Sequence, residues 1–232
     1  MKLRWLTTAA VLFALALLAG SRMRRIHEPR FPHLDELQAG PLAFQDAALA
    51  IAGFRAPAAD LAWIQLLQYT AGGVPGFPDR PGHPYEHLVE LSLRVTRLDP
   101  SFHRAALFAA GILAWFNGIE RPKEAADLLT EGMRRSPEQP LYALYLAALA
   151  YKKQGDTDRM VTLLESSFDL PETPSTMKAI LANLRQSRGQ YQEAIALWER
   201  IRANERDQSE HARAKIKITE LRSVLARSRP RR

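Results

Sequence analysis

Two glycine-led stretches set the frame of this chain: Gly155-Asp-Thr-Asp-Arg-Met160 and Gly189-Gln-Tyr-Gln-Glu-Ala194 stand 34 residues apart. A third, Lys123-Glu-Ala125, lies 35 residues ahead of Met160. Each opens an amphipathic segment, AADLLTEGMRRSP, MVTLLESSFDLP or AIALWERI. Each follows another apolar-periodic segment, RAALFAAGILAWF, LYALYLAALAYKK or MKAILANLRQS. A recurring pair of helical segments with a turn between them leaves no room for a sheet from about residue 100 to 200. One such pair cannot bury its apolar face alone, so three or more must stack.

Within each pair, particular residue types recur at particular places. A small residue marks where the two helices are expected to cross: Gly111, Ala148 and Ala182. The turn glycines are Gly118, Gly155 and Gly189, as a helix ending in left-handed backbone requires. The second helix opens on a small residue at Ala125 and Ala194, with Met160 departing, and carries a large apolar residue four positions on: Leu129, Leu164 and Trp198. Pro137 and Pro171 close the second helices, since proline cannot continue one. This pattern resembles the tetratricopeptide repeat, a 34-residue helix–turn–helix unit. The resemblance implies an all-α, right-handed superhelical solenoid of about four helical hairpins. The aromatic residue that the pattern places one turn after the crossing is met by Tyr151 alone.

Residues 41–100 fit the period less well. Pro41 to Gly53 and Pro57 to Gly72 read as helices, and Tyr85 to Leu98 as a third, ended by Leu98-Asp99-Pro100. The Gly/Pro-rich stretch 72–84 between them is too rich in breakers to be helical. From Asp207 to Arg227 one more helix places Ala214, Ile218, Leu221 and Leu225 on one face, suiting a capping helix over the open end of the stack. The organisation expected is a signal anchor at 1–25, a polar linker at 26–40, an N-terminal helical module at 41–100, repeats at 101–204, and a capping helix with basic tail at 205–232.

The N-terminus constrains location. Trp5 to Gly20 is sixteen residues without charge, preceded by Lys2 and Arg4 and followed by Arg22, Arg24 and Arg25. That length is at the short end for a spanning helix, and flanking Trp and Arg extend it at the interfaces. No small-x-small cleavage site follows the run, so an uncleaved single transmembrane helix is expected through residues 5–20, and a cleaved signal is the alternative. The expected place is the inner membrane, with the body periplasmic.

The charge is uneven. Of the net +7, residues 1–30 carry +5 and residues 200–232 carry +7, while 31–199 carry −5. A nucleic-acid-binding fold would hold its basic stripe on the folded body, so no nucleic-acid partner is expected. With no cysteine there is no thiol catalysis and no Cys-ligated metal. His83 and His87 stand four apart beside Glu86 and Glu90, but Pro84 biases His83 out of the helix that holds His87. No P-loop, H-E-x-x-H or G-x-S-x-G motif is present. No enzyme, cofactor, metal or small-molecule substrate is expected.

What remains is a surface. In a tetratricopeptide stack the first helix of each unit lines a concave groove. The resemblance places there Phe108, Ile112 and Trp115, then Tyr142, Tyr145, Leu149 and Lys152, then Asn183 and Gln186. Phe108, Ile112, Tyr145 and Leu149 stand where carboxylate-clamping repeats carry Lys and Asn, so capture of a peptide carboxylate is not expected. An apolar, aromatic groove suits an amphipathic helix of a partner, or else is filled by the chain's own 41–72 helices. The role expected is a membrane-anchored scaffold or adaptor in a bacterial envelope complex such as a secretion, pilus or transport assembly. The alternatives are a secreted periplasmic chaperone holding client polypeptides, and a binder of RNA or anionic lipid through the basic tail.

Overall fold

The computed structural model describes residues 43–72 and 77–228. The expected anchor at 5–20, the linker at 26–40 and the last four residues of the basic tail lie outside them. Among the described residues the chain is all-helical, with ten α-helices and no strand. They are α1 (Ala43–Ile51), α2 (Arg55–Gly72), α3 (Leu88–Leu98), α4 (His103–Trp115), α5 (Pro122–Arg135), α6 (Pro140–Gln154), α7 (Thr157–Ser167), α8 (Ser175–Ser187), α9 (Tyr191–Ala203) and α10 (Gln208–Ser228). The chain divides into two compact units, 1–109 and 110–232, with the border inside α4.

In the first unit α2 packs along α3 and α1 rests on α2. Arg94 of α3 grips Asp46 of α1 with two parallel bonds of 2.7 Å, from Nε and Nη2, and its Nη1 donates to Gln65 of α2. One guanidinium thereby ties three helices, and Asp46 is buried. The Trp63 ring meets Phe102 and Phe108 at 5.5 and 5.4 Å.

The third helix begins at Leu88, three residues later than its apolar period predicts, because neighbouring side chains take the preceding amides. Asp79 accepts from the backbone N–H of Tyr85 at 2.8 Å and of Glu86 at 3.1 Å. The Tyr69 hydroxyl donates to Asp79 and accepts from the His87 N–H at 3.0 Å. Tyr85 is left with φ of +59°, which breaks helical continuity. Burial, and then donation to Asp79, push the Tyr69 hydroxyl well above its ordinary pKa. Although burial works the other way, the Tyr69 hydroxyl and the two amides hold the Asp79 carboxyl below its usual range. The described end of the Gly/Pro-rich stretch is therefore tied down, with Phe77 buried against His87.

In the second unit α6 and α7 form one hairpin, α8 and α9 another, α7 meets α8, and α5 packs on α6. Gly118, Gly155 and Gly189 all have positive φ, at 82°, 67° and 75°. At Gly155 the turn closes as a Schellman motif, with Gly155 N–H donating to Tyr151 O and Asp156 N–H to Ala150 O at 2.9 Å. The Asp156 side chain then caps α7 by accepting from Arg159 N–H at 2.8 Å. Leu129, Leu164 and Trp198 are almost wholly buried, as are Ala125 and Ala194, whereas Met160 is half-buried. The expected capping helix is present as α10, packed on α8 and α9 through Ala214, Ile218 and Leu221.

Two details differ from expectation. A Cβ on Gly111 would meet nothing within 4 Å, so this glycine is not needed for a close crossing. The tight approach is at Gly132, where a Cβ would stand 2.5 Å from Cε1 of Tyr142. Asp207, expected to start the capping helix, instead ends a 3₁₀ turn at Glu205–Asp207 and points inward. There it accepts from Lys178 Nζ of α8 at 2.9 and 3.2 Å, both side chains being at most 5% exposed.

Candidate functional site

The nine residues assigned to a groove by their register do not share one environment. On α6, Tyr142 and Leu149 are about 1% exposed and face the core, while Tyr145 stays half-exposed and Lys152 exposed. At 3.6 residues per turn the pair 142/149 and the pair 145/152 are two stripes about 60° apart. Only the second stripe reaches solvent. On α4, Ile112 is buried, Phe108 is half-buried against Trp63, and Trp115 at the helix end is exposed. On α8, Asn183 and Gln186 are half-buried, and the Oε1 of Gln186 is enclosed without a hydrogen-bond partner.

The accessible residues of this set meet at one point. Trp115 and Tyr145 lie edge to face, ring centroids 6.2 Å apart and planes at 84°. Two aromatic rings from successive hairpins thus form a small ledge in the second unit. Phe116, next in the chain to Trp115, is 54% exposed. Tyr151 is also exposed, with the Lys152 ammonium 5.4 Å from its ring centre. Register reasoning missed Phe116 as a surface residue because it follows the last turn of α4. Its position one step beyond Trp115 was the available signal.

The second unit also has a cleft of about 470 Å³ where the ends of α7 and α9 meet the start of α8. Lys178, Arg200, Arg206 and Asp207 line it. Its cations are already engaged: Lys178 by Asp207, Arg200 by Asp169 and the Phe168 ring, and Arg206 by the Pro171 carbonyl at 3.2 Å. Such a cleft offers little unmet charge to an anion. Among the described residues, no group of three or more His, Asp and Glu side chains is placed to hold a metal ion. Nor, among them, is any helix long and apolar enough to cross a membrane.

Consecutive helical hairpins with a left-handed glycine at each inner turn define a helical-repeat protein, built to present a surface. Residues 142–167, most of α6 and all of α7, match the family model of the tetratricopeptide repeat. The chain therefore carries a tetratricopeptide repeat, a module that generally mediates protein–protein interaction. A search of curated proteins finds no match to it.

Proposed function

We propose that this chain is a membrane-anchored tetratricopeptide-repeat adaptor, holding a protein partner of a bacterial envelope complex through the aromatic ledge of its second unit. The observation that carries the reading is the Trp115–Tyr145 pair, exposed in a unit whose other large aromatics, Tyr142, Phe168 and Trp198, are buried. Aromatic side chains held rigid at a surface are the residue type on which binding energy concentrates. Its mechanism is binding rather than catalysis. The uncharged run at 5–20 supports anchoring at the inner membrane, and confinement to that plane raises the effective concentration of the repeats for a membrane partner.

Affinity capture from detergent-solubilised membranes, with wild type beside a Trp115→Ala/Tyr145→Ala variant, tests the ledge. The expected result is loss of the captured protein at unchanged helical content. Equal capture by both proteins would remove the ledge from the account.

A further inference from the structure

The helix α2 is apolar on two opposite sides. Ala58, Ala62, Leu66 and Tyr69 are buried on the side that packs on α3. The other side exposes Leu61, Ile64 and Leu67, at 63%, 48% and 37%. Just before it, Phe44 and Ile51 of α1 and Phe54 in the turn are exposed at 88%, 63% and 55%. A helix that is hydrophobic all round is normally surrounded. Each such side chain left in water forgoes about 1.5–3 kcal/mol of transfer free energy.

Charge is scarce on the same segment. A quarter of the whole chain is charged, yet residues 43–72 hold only Asp46, Arg55 and Asp60. Asp46 is buried and neutralised by Arg94, which leaves Arg55 and Asp60 for thirty residues. A protein interface is ringed by polar groups and is on average no more apolar than the rest of the surface. The α1–α2 face lacks such a rim, and that is what an acyl-chain boundary tolerates. Chain connectivity points the same way. The uncharged run ends at Gly20, and the twenty-two residues from 21 to 42 reach at most about 75 Å however they fold.

We infer that α1 and α2 lie with this face in the headgroup–acyl boundary of the membrane that holds residues 5–20. The inference rests on the anchoring reading above. The face then serves as a second, interfacial contact, and apolar side chains entering the boundary supply its affinity.

The absence of native cysteine makes the test direct. Single variants Leu61→Cys, Ile64→Cys and Ile216→Cys of the full chain carry a polarity-sensitive fluorophore. Position 216 is an equally exposed apolar residue of α10, at 59%. The proteins are reconstituted into vesicles of phosphatidylcholine and phosphatidylglycerol containing spin-labelled lipid. The expected result is blue-shifted emission at 61 and 64, quenched several-fold more strongly than at 216. Equal quenching at all three positions would mean general adsorption and would overturn the inference. Unquenched labels on protein that resists alkaline extraction would overturn it while leaving the anchor standing. Unquenched labels on protein that washes off would end the anchoring reading and the inference together. Energy transfer between labels at position 61 on different copies, without lipid quenching, would assign the face to a second copy of the chain and overturn it as well.

Discussion

The ring of Tyr142 lies against the backbone of Gly132, so close that a Cβ on residue 132 would stand 2.5 Å from Cε1 and 2.6 Å from Cζ. Tyr142 is about 1% exposed, and burial, with Glu138 nearby, pushes its hydroxyl up to about 12. The contact joins the last turns of α5 to the first turns of α6 in the matched repeat. Gly132→Ala is therefore expected to destabilise the protein by about 1–3 kcal/mol, the usual cost of overpacking. Gly111→Ala, in open space within α4, is expected to stabilise it by about 0.5–1 kcal/mol through helix propensity. Urea midpoints of the two variants, moving in opposite directions, would confirm the assignment. Equal shifts would refute it.

The Lys178–Asp207 pair is shut away from water between α8 and the 3₁₀ turn that precedes the capping helix. Removing one partner strands the other charge, so Asp207→Leu alone is expected to cost about 3–5 kcal/mol. The double variant Lys178→Met/Asp207→Leu should recover most of that loss. A double-mutant cycle on thermal unfolding reads both values, and additive losses would show that the pair is not coupled.

In the first unit, Asp46→Ala removes the carboxylate that Arg94 grips with two bonds. The α1 helix should then come loose ahead of the rest. Limited proteolysis is expected to cut between residues 43 and 54 several times faster than in wild type. An unchanged cutting rate would mean that α1 is held by its apolar contacts alone.

Acid sensitivity has a traceable source at Glu131. The Arg134 guanidinium, 2.8 Å away through two bonds, holds the Glu131 carboxyl down at about 2 against the opposing effect of burial, and Arg135 adds a bond of 2.6 Å. A folded-state pKa below the ordinary 4.5 contributes stability that is present above about pH 4.5 and is lost as pH falls toward 2. The Glu131→Gln variant should therefore show a shallower loss of stability across that window. Parallel pH profiles for variant and wild type would count against it.

The features that register reasoning read correctly are local in the chain. Gly118, Gly155 and Gly189 each end a helix within their own turn, and proline stops are read in the same way. Leu129, Leu164 and Trp198, or Ala214, Ile218 and Leu221, share a helix face by spacing alone, and these became core. The late start of α3 was hidden, because it needs Tyr69 and Asp79, brought from 18 and 6 residues away, to take the amides of residues 85–87. The candidate surface was half legible. Spacing named Trp115 and Tyr145 but grouped them with Tyr142, Ile112 and Leu149, which the packing encloses.

Period, composition and caps thus established a chain of helical hairpins with a closing helix, since each of those signals acts within a few turns of backbone. Which side of a helix meets another depends on contacts between residues far apart in the chain. Tyr142 on Gly132, Lys178 on Asp207 and Arg94 on Asp46 are such contacts. Folding set the two stripes of α6 apart, one sealed and one open, through a difference of about 60° in rotation that spacing cannot orient until the neighbouring helices are in place.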